Sequence, residues 1–119
     1  MCGSVIAAST AAICGLAYQK GVPPSKICGL MEDLLYTYNS CICDGAKLAC
    51  THKILTSFRS GLLLLDMVDA NYKIKKQDGI ASGNVNLTLK IFKKMSKENS
   101  NKFNLSVVDG MCRYGVEIE

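Results

Sequence analysis

The stretch Cys41-Ile-Cys43-Asp44-Gly45-Ala46-Lys47-Leu48-Ala49-Cys50 constrains this chain more than any other. Three of the chain's seven cysteines fall within these ten residues, beside an acid, a turn glycine and a lysine, and the whole protein has one histidine. Ahead of the stretch the apolar spacing reads as two helices, and behind it a longer apolar helix begins. Thiols gathered where one helix ends and the next starts suit a soft metal centre. The thiolate is the ligand form, and the positive end of a helix dipole and a nearby lysine both favour it. Free cysteine also packs as a small hydrophobe, and Cys43-x6-Cys50 is not a standard zinc spacing. Spacing alone leaves a metal site and a buried helical turn both open.

At 119 residues the chain is at most one domain. A hydrophobic fraction of 49% against 20% charged residues can fill a core and leave an apolar face over for a partner. The net charge of +4 comes largely from Lys73, Lys75, Lys76, Lys90, Lys93, Lys94, Lys97 and Lys102. With no aromatic interleaving and no arginine cluster, these read as a solvated face, and no nucleic-acid partner is expected. The longest apolar stretches, Val5–Tyr18 and Gly61–Leu65 with Met67-Val68, fall short of the roughly 20 residues that span a bilayer, so no membrane partner is expected either. Met1-Cys2-Gly3 carries no basic segment before the apolar run, as a secretory signal would. The expectation is a cytoplasmic protein whose seven thiols serve metal binding or catalysis rather than disulfides.

The pattern predicts an all-α fold, a compact bundle of about four to five helices. Ser4–Lys20, with its run of alanines, is the expected central helix, small on several faces and ended by Gly21-Val22-Pro23-Pro24. Ser25 should cap a second helix carrying Ile27, Leu30, Met31, Leu34, Leu35 and Tyr38. A third is expected from about Asp44–Ala46 to Asp69, buried on more than one side because its four consecutive leucines exceed a single stripe. Asn71–Gly79 reads as a polar connection. Ser82 should cap a fourth helix of roughly Gly83–Lys97, followed by a loop at Glu98–Asn101 and a short helix at Phe103–Met111.

Taken together, Cys2-Gly3, the alanine-rich helix, Cys43-Asp44-Gly45-Ala46-Lys47 with Cys50, and then Asp78-Gly79-Ile80 and Asp109-Gly110-Met111 resemble a known family. The chain is similar to the C-terminal region of the iron–sulfur L-cysteine desulfidases, the serine dehydratase α-chain-like family, from Cys2 to about Met111. The resemblance implies that residues 1–119 form a C-terminal cluster-binding helical region whose N-terminal counterpart is missing. It implies a [4Fe–4S] cofactor held by Cys2, Cys43 and Cys50. Three ligands leave one iron open as a Lewis acid, where four would close the cluster for electron transfer. The implied reaction removes HS⁻ from L-cysteine, or water from L-serine, and yields pyruvate and ammonia. The family's substrate loop and a further cysteine lie in an N-terminal part that this chain lacks.

Asp44 and Lys47 are the catalytic candidates. Asp44 would orient substrate or the cluster turn, or simply cap the third helix, and Lys47 would balance the cluster or a substrate carboxylate. Gly45 would permit the tight turn at the cofactor. His52 is a candidate proton carrier or a stand-in for a missing ligand, or simply a half-exposed helix residue. Cys41 has no counterpart among the family's ligands and is expected to pack, or else to act as a spare ligand or redox partner, while Cys14, Cys28 and Cys112 are expected to be structural. Two other functions stay open. One is an inactive helical subunit that pairs with a separate N-terminal half. The other is a small zinc module built from Cys41, Cys43, Cys50 and His52.

Overall fold

A computed structural model describes residues 1–70, 72 and 79–113, with only the backbone at Ser100 and Met111. The chain is all-α. A π-helical segment, Ser4–Ser9, runs without a break into α1, Thr10–Gln19, and is followed by α2, Pro24–Tyr38, α3, Cys50–Asp69, and α4, Val85–Arg113. The expected polar connection Asn71–Gly79 lies almost wholly outside the described residues, as do Asp78 and the tail beyond Arg113.

The first two segments present one buried face. Val5, Ile6, Ser9, Thr10, Ile13, Cys14 and Ala17 point inward, against α2 and α3. Ala7, Ala8, Ala11, Ala12 and Gly15 face solvent, so the alanine-rich helix packs on one side and leaves its smallest side chains open. Ile13, Leu30, Leu34 and Val5 are the largest wholly enclosed apolar side chains. Each is worth about 1.5–3 kcal/mol of burial, and together they join the N-terminal helix to α2. A polar seam locks the same helices to α3. Ser9 Oγ and Ser57 Oγ are 2.7 Å apart in the core, and the buried Tyr38 hydroxyl donates to the Ser57 carbonyl. Gly61 lies at this crossing, where only a hydrogen leaves room for Ile13 and Tyr38.

Helix starts differ from expectation in three places, each for a local reason. α2 begins at Pro24 rather than behind a Ser25 cap, because a proline in the first turn has no amide to waste and a φ already suited to helix. α3 begins at Cys50, not near Asp44–Ala46, with Ala49 in the capping position. Gly45 has φ +95°, which no helix continues through, and the Asp44 carboxylate is engaged by lysines rather than by amides. At α4 the capping oxygen belongs to Asn84, whose Oδ1 accepts from the amides of Asn86 and Leu87 at 3.0 and 3.2 Å. Ser82, the expected cap, instead accepts from the Asn84 amide at 3.1 Å.

The expected loop at Glu98–Asn101 does not form, and α4 runs through it as a single helix of 29 residues. None of those four residues is glycine or proline, so continuing the backbone ladder costs only modest helix propensity. The Asn99 side chain also donates to the Met95 carbonyl at 3.0 Å. At 1.5 Å per residue α4 is about 43 Å long, close to the molecule's longest dimension of 49 Å. Among the described residues its helix partner is α2. Thr88, fully buried, fastens it by donating to the Glu32 carboxylate.

Candidate functional site

The loop 39–49 leaves α2 by a turn, with the Cys41 amide donating to the Tyr38 carbonyl at 3.0 Å. The N-terminus then lies along it. Cys2 donates its amide to the Cys41 carbonyl at 2.9 Å and accepts from the Ile6 amide at 3.0 Å. Cys2 is therefore held on both sides, and its side chain is buried at 3% exposure. Cys41 and Cys43 are half-buried and pack against the same apolar core. Short turns from Lys47, Leu48 and Ala49 lead into α3 at the half-buried Cys50. The Cys50 thiol lies 3.7 Å from the Gly45 carbonyl, across the turn that Gly45's positive φ permits.

Lys53 ties these pieces together. It sits one turn into α3, three residues past Cys50, and helical side chains lean toward the N-terminus of their helix. Its Nζ thus reaches back to the loop, donating to the Ile42 carbonyl at 3.2 Å and to Asp44 Oδ1 at 2.7 Å. Lys47 takes the other carboxylate oxygen, Oδ2, at 3.0 Å. The two ammonium groups, Lys53 first, hold the Asp44 carboxyl well below the usual carboxylate range. Asp44 raises Lys53 in return, and the charges of Cys2 and Cys50 add to that rise. Burial pushes the Cys41 thiol up, and Cys2 pushes it further, while Lys53 opposes both. Cys2, Cys41 and Cys50 accordingly all lie within electrostatic reach of one ammonium group.

Each expected site residue has a definite place. Cys2, Cys43, Cys50, Asp44, Gly45 and Lys47 share this end of the bundle. Asp44 does not cap α3, and its two oxygens are occupied by lysines. Among the described residues, no group of three or more His, Cys, Asp or Glu is gathered closely enough to hold a metal ion. The quartet Cys41, Cys43, Cys50 and His52 is thus not gathered as a four-coordinate zinc site requires. A cubane cluster makes a different demand, since each cysteine ligates its own iron and the sulfurs need not meet at one point. A donor set of three thiols, one each from the N-terminal segment, the loop and the start of α3, backed by apolar core and with Lys53 at hand, fits such an anionic group chemically. His52 is exposed and borders an open cleft lined also by Tyr38, Cys41, Lys53, Thr56 and Ser60.

Lys53 is the residue that sequence reasoning missed. The available signal was its position three residues beyond Cys50, on the same helical face. Cys14 is buried on α1 and Cys28 exposed on α2, and burial raises the Cys14 thiol, with Cys28 adding to the rise. Cys112 is exposed near the end of α4. No helix among the described residues is long and apolar enough to cross a membrane.

Comparison with known proteins gives a consistent pattern. The family described as serine dehydratase alpha chain matches residues 1–109. A UPF0597 protein of Bacteroides fragilis is 25% identical over 97% of this chain, and one of Alkaliphilus metalliredigens is 26% identical over 96%. A UPF0597 protein of Treponema denticola reaches 32% identity over 74% of the chain. These stretches cover 27%, 26% and 20% of the relatives, so the chain spans about a quarter of their length. No solved structure matches.

Proposed function

This chain belongs to the serine dehydratase alpha-chain family, and on that footing we propose that it is the cluster-binding helical region of an iron–sulfur lyase. The reaction is β-elimination from a small amino acid, L-cysteine or L-serine, giving pyruvate and ammonia with sulfide or water. The observation that carries this reading is the convergence of Cys2, the Cys43 loop and Cys50 on Lys53. Cys2, Cys43 and Cys50 would hold a [4Fe–4S] cluster. When bound, it supplies an iron with an open coordination position that acts as a Lewis acid on the departing β-substituent.

The chain's own residues supply the setting. Cys2 is screened from water by the apolar core, which limits hydrolytic and oxidative loss at that thiol. Gly45 lets the backbone turn back toward Cys50. Asp44 is ionised and doubly paired, so it is a weak proton acceptor and serves to orient the loop. Lys47, about two-fifths exposed, offers an ammonium group to a substrate carboxylate at the rim of the loop. The cytoplasm, where thiols stay reduced, is the compartment this chemistry needs.

The test is iron and acid-labile sulfide content after anaerobic reconstitution, for the wild type and Cys43→Ser. Four irons per chain, lost in the variant, are the expected result. A wild-type protein that takes up no iron refutes the reading.

A second reading has its own support. Ala7, Ala8, Ala11 and Ala12 are exposed, and so are Leu48 at 88% and Leu55 at 60% beside the thiol loop. Since the chain spans about a quarter of the relatives it matches, these surfaces suit a separate polypeptide that carries the remaining length and the substrate loop. The loaded chain would then release no pyruvate until that polypeptide is added. Turnover of L-cysteine or L-serine by the loaded chain alone would refute this second reading.

A further inference from the structure

We propose that Lys53 is a positioning residue that clamps Cys43 against the first turn of α3. The clamp's value for a cluster rests on the function proposed above; its geometry does not. Lys53 Nζ holds the residue on each side of Cys43, the Ile42 carbonyl at 3.2 Å and the Asp44 carboxylate at 2.7 Å. No hydrogen bond of the Cys43 side chain itself is needed. Because Lys53 stands three residues beyond Cys50 on α3, the contacts tie the loop cysteine to the helix cysteine through one rigid turn. Lys47 steadies the same carboxylate from within the loop, but it moves with the loop and gives no anchorage to α3. Lys53 reaches from α3 to both neighbours of Cys43, whereas the Cys50 thiol meets the loop further on, at Gly45.

The charge arrangement has a second consequence. A lysine in the first turn of a helix opposes the helix dipole, so Lys53 gains nothing from its position on α3 unless an acid meets it. Asp44 does meet it, at 2.7 Å, and the ammonium stays within electrostatic reach of Cys2, Cys41 and Cys50. The arrangement is therefore built around the loop rather than around the stability of the helix.

The experiment uses the full 119-residue chain without metal, as wild type, Lys53→Met and Lys53→Arg, and follows hydrogen–deuterium exchange of the 41–50 peptide with the α2 peptide as internal control. Lys53→Met should speed exchange in 41–50 by about three- to fivefold, the scale of a lost half-exposed charged contact. Lys53→Arg, whose planar fork can serve a carboxylate and a carbonyl together, should stay within about twofold of wild type. In reconstituted protein, Lys53→Met should surrender iron to a chelator several times faster than wild type. Unchanged exchange in 41–50, or an equal rise in α2, overturns the clamp. A loosened loop with unaltered iron retention overturns its link to the cysteines. If the wild type takes up no iron, the lyase reading fails, while the exchange measurement still decides the clamp.

Discussion

Gly61→Ala tests the packing that brings α3, and with it Cys50 and Lys53, up to the N-terminal segment. A Cβ at Gly61 would stand 2.6 Å from Ile13 Cγ1, 2.8 Å from the Tyr38 hydroxyl and 3.0 Å from Ile13 Cδ1. Ile13 is wholly buried and Tyr38 nearly so, and the Tyr38 hydroxyl is tied to the Ser57 carbonyl. Overpacking costs about 1–3 kcal/mol, and a contact of 2.6 Å to a buried side chain belongs to the upper part of that range, about 2–3 kcal/mol. Replacing glycine by alanine inside a helix returns about 1 kcal/mol, so the net loss should be about 1–2 kcal/mol. For a chain of this size that corresponds to a fall in Tm of about 4–8 °C. Gly15→Ala in α1 is the matched control, since a Cβ there meets nothing within 4 Å. It should gain the propensity term alone and melt about 2–4 °C above wild type. Thermal melts followed by far-ultraviolet circular dichroism, all at one pH, make the comparison. A Gly61→Ala protein that melts at or above the wild-type temperature would refute the crossing described for α1, α2 and α3.

Tyr38→Phe should cost about 0.5–1.5 kcal/mol at neutral pH, measured by urea unfolding, because the Ser57 carbonyl loses one donor but keeps the Ser60 hydroxyl at 3.0 Å. Burial holds the folded Tyr38 hydroxyl above its ordinary value, against a smaller opposing effect of Ser60. The folded state therefore keeps this proton where the unfolded chain, titrating near 10, loses it. The Tyr38 contribution is complete below about pH 10 and falls as pH rises through the folded value. The wild type should lose stability more steeply than Tyr38→Phe above pH 10. Asn84→Ala should cost about 1 kcal/mol and speed amide exchange at the start of α4. Exchange there at the wild-type rate would show that the Asn84 oxygen does not cap the helix.

Helix existence was legible wherever apolar spacing was strong, as in α2, where Leu30, Leu34 and Tyr38 lie buried on one face. Helix boundaries were not, because several good capping residues stood near each start and only tertiary geometry chose among them. Ser25 lost to a proline, Asp44 to its lysines and Ser82 to Asn84. The run Glu98–Asn101 looked like a loop by composition alone. Composition is a weak guide where no residue forbids helix, and α4 passes through it. The four-leucine run in α3 was expected to be buried on more than one side. Leu65 is enclosed, Leu62 and Leu64 are half-buried and Leu63 is 63% exposed, so the face beyond the core is left open.

The candidate site divides along the same line. Its cysteines, Asp44, Gly45 and Lys47 were legible because they are contiguous or carry a recognisable spacing. Lys53 was not, because its role depends on how the loop folds back over α3. Nothing in nine residues of spacing from Asp44 announces a contact of 2.7 Å. A motif read along the chain captures donors that could bind a cofactor. The group that holds those donors in register lies on the adjacent helix and shows only when the backbone has turned. For this reason Cys43→Ser and Lys53→Met test different things. The first removes a candidate ligand and should abolish loading, whereas the second leaves every thiol in place and should change how long a loaded cluster is kept.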